Sequence, residues 1–395
     1  MGVFVMPEIC YNIIMAFGFF KKEGGKTHIL AIDLGTASIS AAMAVRQEGK
    51  KTEVLKVFRY PIDLFEYQIA GGAQLPHIFK EGFLRVFKDA HVISDHLDVV
   101  AVGLSDPFFL DKKKQRKVTR SNPAAAITAE EINSLVKTSE SEIAAQNLAI
   151  VRRNILNTQV NGYDVRNASG YKGKTLAIEM MFTSISATLK EYIEGAKDKF
   201  FPKSAISYYS DAAIFREALR AAGNLSEPRI VIDIGGEVTG IFLVDDLMFQ
   251  HYGAAAFGIR TLARRIASSL KIDAADTDSL LKKYTAGTLD DAAQAKISRI
   301  IASALADWWL SLKNTFKQFA ETAAMKKVML SGGGVDFPAF PTFLKENFKK
   351  DFNIEVDVLI LRAEVFKDFF EIASQNLLSG GGDIVLASLV LLAPW

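Results

Sequence analysis

The sequence predicts an α/β protein of two lobes, with a smaller α+β subdomain set into the first. Three observations carry that prediction. A strand–turn–strand unit occurs twice, as His28-Ile-Leu-Ala-Ile-Asp33-Leu-Gly35-Thr36 and Arg229-Ile-Val-Ile-Asp233-Ile-Gly235-Gly236. A third glycine cluster, Val328-Met-Leu-Ser331-Gly332-Gly333-Gly334, ends another short apolar run. Between the two units lies a segment with its own helix and strand patterns. The length of 395 residues leaves room for roughly two to four domains.

Composition narrows the functional classes. With 49% hydrophobic and 23% charged residues, the chain is an ordinary globular one that can offset the entropy of ordering. Lys+Arg 47 against Asp+Glu 45 leaves a formal charge of +2, which argues against a protein whose main work is gripping nucleic acid. A single cysteine, Cys10, excludes a disulfide framework and a cysteine-based metal cluster. A cytoplasmic protein is expected.

Residues 1–26 form an apolar segment interrupted by Pro7, Glu8 and Asn12 and followed by Lys21 and Lys22. Its longest apolar part, residues 9–20, falls well short of the about 20 residues that cross a bilayer. No secretory pattern frames it. The preferred reading is a start extended beyond Met15. The next is an interfacial anchor through Phe17, Phe19, Phe20 and the lysines, and the third is a segment docked on the body.

The first lobe is expected over residues 27–118. Its β-branched run ends in Asp33-Leu-Gly35-Thr36, and a second run follows at residues 38–45, which reads as strand, tight turn, strand. Glycine lets the turn's N–H groups approach a ligand, and such a nest holds phosphate oxygens. The preceding aspartate is then placed to hold a metal or its water. One such turn is weak evidence, since many hairpins carry one for geometric reasons; two, both behind apolar strands, are far less expected by chance. The basic run Lys112-Lys113-Lys114-Gln115-Arg116-Lys117 reads as a solvated loop, because no aromatics interleave it.

The inserted subdomain is expected over residues 119–203. Thr128 and Glu131 make a capping box for a helix running to about Ala149. Strands follow at residues 150–165, with a turn at Asn161-Gly162, and at residues 175–183; a helix over residues 186–199 closes the segment. Residues 204–395 complete the first lobe and form the second, with a helical subdomain at about residues 266–324. Within it Trp308, Trp309, Leu312, Phe316 and Phe319 fall at helical spacing and read as core. Residues 384–393 read as a buried helix, with Asp383 of Gly380-Gly381-Gly382-Asp383 at its N-cap. The histidines, His28, His77, His91, His96 and His251, show no metal-ligand spacing.

Taken together, these motifs resemble those of the actin-like ATPase superfamily. Asp33-Leu-Gly35-Thr36 is similar to its first phosphate motif and Asp233-Ile-Gly235-Gly236-Glu237-Val238-Thr239 to its second. Val328-Met-Leu-Ser-Gly332-Gly333-Gly334 is similar to its adenosine motif. The resemblance runs from about Lys26 onward and implies an actin-like (ribonuclease H-like) two-lobe fold that closes on ATP and Mg²⁺, with Asp33 and Asp233 at the metal. The insertion, with Gln159-Val-Asn161-Gly162-Tyr163 and Gly170-Tyr-Lys-Gly173-Lys-Thr-Leu-Ala-Ile, resembles the SHS2-type subdomain of the bacterial cell-division protein FtsA and the type IV pilus assembly protein PilM. Asp278-Ser-Leu-Leu-Lys282-Lys283-Tyr284 resembles the helix that approaches ribose and adenine through Asp278 and Lys282, against the alternative of a solvated amphipathic helix.

The chain departs from the cell-division pattern where Glu237 replaces a glycine and Gly240 an aspartate. Glu237 is poorly suited to positive φ, and its charge repels phosphate unless it points away or completes a Mg²⁺ shell. Efficient hydrolysis is therefore less expected than binding, and the chain is at most a slow ATPase. The resemblance implies an assembly protein of a membrane-associated bacterial machine, peripheral at the inner face of the cell membrane. Expected partners are further copies of the chain and either the cytoplasmic tail of a membrane protein or a tubulin-like division protein. Membrane contact is expected through residues 1–22 or a partner, and no nucleic acid is expected. The alternatives are a small-molecule, sugar-type kinase on the same fold and a nucleotide-independent scaffold.

Overall fold

The structure is a computed structural model and describes residues 25–62, 75–143, 147–221, 227–245, 249–319 and 326–394. The N-terminal segment to residue 24, with Cys10, Met15 and the proposed anchor residues, lies outside the described residues, as does Trp395.

The chain begins with β1 (Lys26–Leu34), β2 (Ser38–Gln47), β3 (Glu53–Pro61), α1 (Leu75–Ile93) and β4 (Val99–Leu104). It continues through β5 (Leu110–Thr119), α2 (Ala129–Ile143), β6 (Leu148–Val160), β7 (Tyr163–Asp164), β8 (Thr175–Ser186) and α3 (Ala187–Phe200). After β9 (Ala205–Ser210) and α4 (Asp211–Ala221) come β10 (Arg229–Ile234), β11 (Thr239–Val244), β12 (Phe249–Ala255), α5 (Ile259–Leu270), α6 (Ala274–Thr285) and α7 (Asp291–Phe316). Last are β13 (Lys327–Ser331), α8 (Ala339–Phe352), β14 (Asp357–Ile360) and α9 (Ile384–Leu392).

Two five-stranded sheets share one plan, β3-β2-β1-β4-β9 and β12-β11-β10-β13-β14. In each, the first strand pairs antiparallel with the second and parallel with the fourth. These strands are covered on both faces, which is why β1 and β10 read as nearly continuous apolar runs. The register puts the two aspartates in equivalent places. Asp33 lies between Ser40 and Gly103, and Asp233 between Gly240 and Ser331.

The third sheet, β5-β8-β6-β7, has its own core of Ile127, Leu176, Ile178, Met180 and Phe182. The basic run expected in a loop is strand β5, antiparallel to β8. Partners explain this: Lys113 sits 2.6 Å from Glu179, and Lys114 sits 2.8 Å from Glu142, which also pairs with Arg116. The sheet therefore begins at Leu110, earlier than residue 119. At its other end, Leu189, Ile193 and Ala196 of α3 pack into the first lobe's core.

Thr128 caps α2 by accepting from the Glu131 N–H at 3.2 Å. The Glu131 carboxylate binds Arg120 at 2.8 Å, so the reciprocal half of the capping box does not form, and α2 ends at Ile143, short of residue 149. Asn161 and Gly162 both take positive φ, as a two-residue hairpin turn requires.

In α7, Trp308, Trp309, Leu312 and Phe316 are core; the helix ends there, and the Phe319 side chain lies outside the described residues. Helix α9 is buried from Ile384 to Val390. Asp383 occupies its N-cap position, but the carboxylate accepts from the Ser379 N–H at 3.0 Å and from Arg59 at 2.6 Å and makes no bond to the helix. Arg59's charge outcompetes the cap. No helix among the described residues is long and apolar enough to cross a membrane.

Candidate functional site

The strand ends of both lobes converge. After β1, the Gly35 N–H donates to Ser38 O at 3.1 Å; after β10, the Gly235 N–H donates to Val238 O at 2.9 Å. These turns of one shape touch. The Glu237 N–H donates to Thr36 Oγ1 at 3.0 Å, and a Cβ on Gly236 would stand 2.4 Å from that of Ala37. Neither Gly35, Gly235 nor Gly236 has positive φ, so glycine serves close approach here rather than a special dihedral. The second turn rests on the start of α5, where the Ile259 and Arg260 N–H groups donate to Gly235 O and Gly236 O at 3.0 and 2.9 Å. Arg260 also reaches across to the first lobe, donating to Ala37 O at 3.0 Å and to Ile62 O.

Behind the turns lie Asp33, Asp106, Asp211 and Asp233, all buried or nearly so. They come from the ends of β1, β4, β9 and β10, the carboxyl ends of strands where α/β sheets place ligands. Asp33, Asp211 and Asp233 each keep one buried carboxylate oxygen without a hydrogen bond. Burial pushes Asp33 up to about 8, with the charges of Asp233 and Asp383 adding. Asp233 rises to about 6, again chiefly through burial. Asp211 is raised well above the usual carboxylate range by burial and then by Asp233, Asp33 and Asp106, against a hydrogen bond from Ser105 at 3.2 Å. Oxygens this buried, this close in charge and this short of donors fit a divalent cation. Asp33 and Asp233 could hold it.

The other predicted residues divide. Gly332 and Gly334 press on the second turn: a Cβ on Gly332 would lie 2.5 Å from Ile234 O and 2.8 Å from Asp233 Oδ1, and one on Gly334 2.2 Å from Ile234 Cγ2. Gly333 is open, and a Cβ on Gly382 would stand 3.7 Å from its Cα. Glu237 has an ordinary φ, and its carboxylate pairs with both terminal nitrogens of Arg264, Oε1 at 2.7 Å. The strain expected of it is absent, and Arg264 of α5 neutralises its charge. Val238 closes the turn through its carbonyl. Thr239 is wholly buried in the second lobe, donating to Phe257 O at 2.6 Å and accepting from Trp308 Nε1 at 3.1 Å. Its hydroxyl is therefore spent away from the cleft. Asp278 and Lys282 are exposed on α6, while Tyr284 of that helix packs on Phe337 just beyond the glycine motif, centroids 6.2 Å apart.

Asp106, Asp211 and His251 were not legible as site residues. His251 Nε2 lies 3.0 Å from Asp106 Oδ2 and joins the second lobe to the first. Burial works against its charge, but the hydrogen bond and charge of Asp106 raise it overall. The signal for Asp211 is its position as the first residue of a helix directly after an apolar strand.

No family model and no curated protein sequence matches the chain. Solved structures do. A chain of the PilM–PilN type IV pilus biogenesis complex superposes with a TM-score of 0.57 at 16% identity, covering 92% of this chain and 97% of that one. MreB5 of Spiroplasma citri bound to ADP gives a TM-score of 0.44 at 11% identity, covering 92% and 94%. A Bacteroides thetaiotaomicron protein with an actin-like ATPase fold and unknown function gives 0.40 at 12% identity, covering 91% and 98%. The chain has the actin-like ATPase fold.

Proposed function

We propose that the chain is an ATP-binding, actin-like assembly protein of a membrane-associated bacterial machine. The observation that carries this reading is the meeting of two Asp-x-Gly turns, one from each lobe, over buried carboxylates with unpartnered oxygens. The N–H groups of Thr36, Gly236 and Glu237 would take phosphate oxygens, and Gly332 to Gly334 would offer a flat backbone to the adenosine. Mg²⁺ held by Asp33 and Asp233 would supply positive charge to both the carboxylates and the phosphates. A nucleotide that touches both lobes favours one relative setting of them, and that setting selects partners.

Likeness to a pilus-complex chain over nearly the whole length supports a pilus-type assembly over a division one. The partner is then the cytoplasmic tail of a membrane protein, which brings the chain to the inner face of the membrane. The test is sedimentation and thermal melting with and without Mg-ATP. The reading predicts a raised Tm and a changed oligomer distribution, since a ligand that binds the folded state must stabilise it. Identical profiles under both conditions would overturn it.

Asp211 favours a second reading, phosphoryl transfer to water or to a small hydroxyl acceptor. Its buried free oxygen at the head of α4 is the group that would take the acceptor's proton. Phosphate release, or phosphorylation of a sugar panel, lost in Asp211→Asn would support it.

A further inference from the structure

We propose that His28, His96 and Asp98 form a binding site for a divalent transition metal of the zinc class, at the opposite end of the first lobe from the aspartate cluster. His28 lies 70 positions from Asp98, so no sequence spacing announces the site. The fold creates it by pairing β1 parallel with β4: Ile29 stands beside Val99, which brings the start of β1 against the connection from α1. One ligand atom of each residue lies within 4.8 Å of the others. His96 Nε2 is 2.9 Å from Asp98 Oδ1, and His28 Nδ1 is 3.7 Å from Asp98 Oδ2. Donors around a tetrahedral zinc with bonds near 2.1 Å sit about 3.4 Å apart, a spacing inside the 4.8 Å that encloses these three ligand atoms.

The second observation is His28 Nδ1 itself, buried with no hydrogen-bond partner and facing a carboxylate too far away to bond. A desolvated ring nitrogen left so is costly, and a cation bound to it satisfies it. The ligands are also held in place. Asp98 Oδ2 accepts from the His28 N–H at 2.8 Å, and the Asp98 N–H donates to His28 O at 3.0 Å. Ser94 fixes the backbone of His96, its hydroxyl donating to His96 O at 2.7 Å and accepting from the His96 N–H at 3.2 Å. Such supporting bonds orient metal ligands and sharpen affinity.

Two imidazoles and one carboxylate suit zinc, cobalt or nickel and discriminate against Mg²⁺ and Ca²⁺, which prefer all-oxygen shells. The His96 side chain is 59% exposed, so the site is reachable and has room for water as a further ligand. Asp33 is five residues along β1, roughly 16 Å away at about 3.3 Å per residue. The two sites are therefore separate, and a metal here fastens β1 to the connection before β4 without touching the cleft.

The test uses the full, untagged chain with Zn²⁺ and Co²⁺ alone as probes. One equivalent of Co²⁺ should give the visible absorption of a low-coordinate centre, displaced by Zn²⁺, and Zn²⁺ should raise the Tm. His96→Ala, whose side chain is exposed and whose loss should not disturb folding, should weaken binding at least tenfold, and Asp98→Asn should do the same. Cys10→Ser and His251→Ala should leave binding unchanged, and His96→Ala should leave any Mg-ATP response unchanged. Absence of a cobalt spectrum at micromolar protein, or equal affinity in His96→Ala and the unaltered chain, would overturn the proposal.

Discussion

The two Asp-x-Gly turns have the same internal hydrogen bond and the same place in their sheets, yet their surroundings differ. The first is open: a Cβ on Gly35 would meet only Ser38 O, at 3.5 Å. The second is enclosed, with Val238 O 2.9 Å from a Cβ on Gly235, Ala37 crowding Gly236, and the N-terminus of α5 beneath it. The first presents a hydroxyl acceptor, Thr36; the second presents an N–H donor, Glu237. Their aspartates differ as well, Asp33 lifted to about 8 and Asp233 to about 6. A repeated motif has thus become two complementary halves of one site, so substitutions at equivalent positions should have unequal effects.

The largest effect concerns the aspartates. Asp33→Asn and Asp233→Asn should each abolish the Mg-ATP-dependent rise in Tm, measured by scanning fluorimetry. Without ligand they should differ from each other. Both groups have folded values above the unfolded 3.8, so the fold prefers their neutral forms. That contribution to stability is complete below about pH 4 and is lost as pH rises, up to about 6 for Asp233 and up to about 8 for Asp33. At pH 8 the ligand-free Tm should therefore rank Asp33→Asn above Asp233→Asn, with the unaltered chain lowest. Equal Tm values for the two variants across pH 4–9 would break the distinction between the turns.

Alanine at the glycines probes the crowding. Gly236→Ala forces the turns apart and should cost about 1–3 kcal/mol in urea unfolding, the usual range for overpacking. Gly35→Ala meets ordinary van der Waals contact and should stay within about 0.5 kcal/mol. If the two cost the same, the enclosure is not what sets the second turn apart.

Arg264→Ala tests why the second turn tolerates a carboxylate. Glu237 is mostly buried, with its side chain 14% exposed, and losing its partner should cost about 1–2 kcal/mol. It should also weaken nucleotide binding by leaving a negative charge beside the phosphates. Adding Glu237→Gln should recover most of both losses, which a purely structural role for the arginine would not predict.

Much of this was readable in the chain, for identifiable reasons. The strands ending in Asp33 and Asp233 are short apolar runs closed by glycine, and both signals are local. So is Asn161-Gly162, whose chemistry dictates its turn. What failed depended on distant partners. The basic run from Lys112 to Lys117 is a strand because Glu142 and Glu179 lie across from it. Glu131 left its capping box for Arg120, and Asp383 left its cap for Arg59. Asp106 and Asp211 enter the site only because β4 and β9 run parallel to β1, a fact of sheet order that no local pattern encodes. Thr239 lies next to the second turn in sequence, but strand alternation sends its hydroxyl to Trp308.

The smallest expected effect is the most specific to the comparison. Thr36 Oγ1 accepts the Glu237 N–H at 3.0 Å, and this is the bond by which one turn's acceptor meets the other's donor. Thr36→Val keeps the shape and removes the acceptor, which should cost about 0.5–1.5 kcal/mol, whereas Thr36→Ser keeps the oxygen and should restore most of it. The local readout is the Glu237 amide, whose hydrogen exchange should quicken in Thr36→Val and not in Thr36→Ser. A phosphate that takes that N–H must first displace the threonine. Nucleotide affinity in Thr36→Val should then be unchanged or somewhat tighter, even as the ligand-free protein loosens. An affinity that fell in step with stability would mean the hydroxyl is itself a ligand contact, and the two turns would be partners in binding rather than a donor held in reserve by its neighbour.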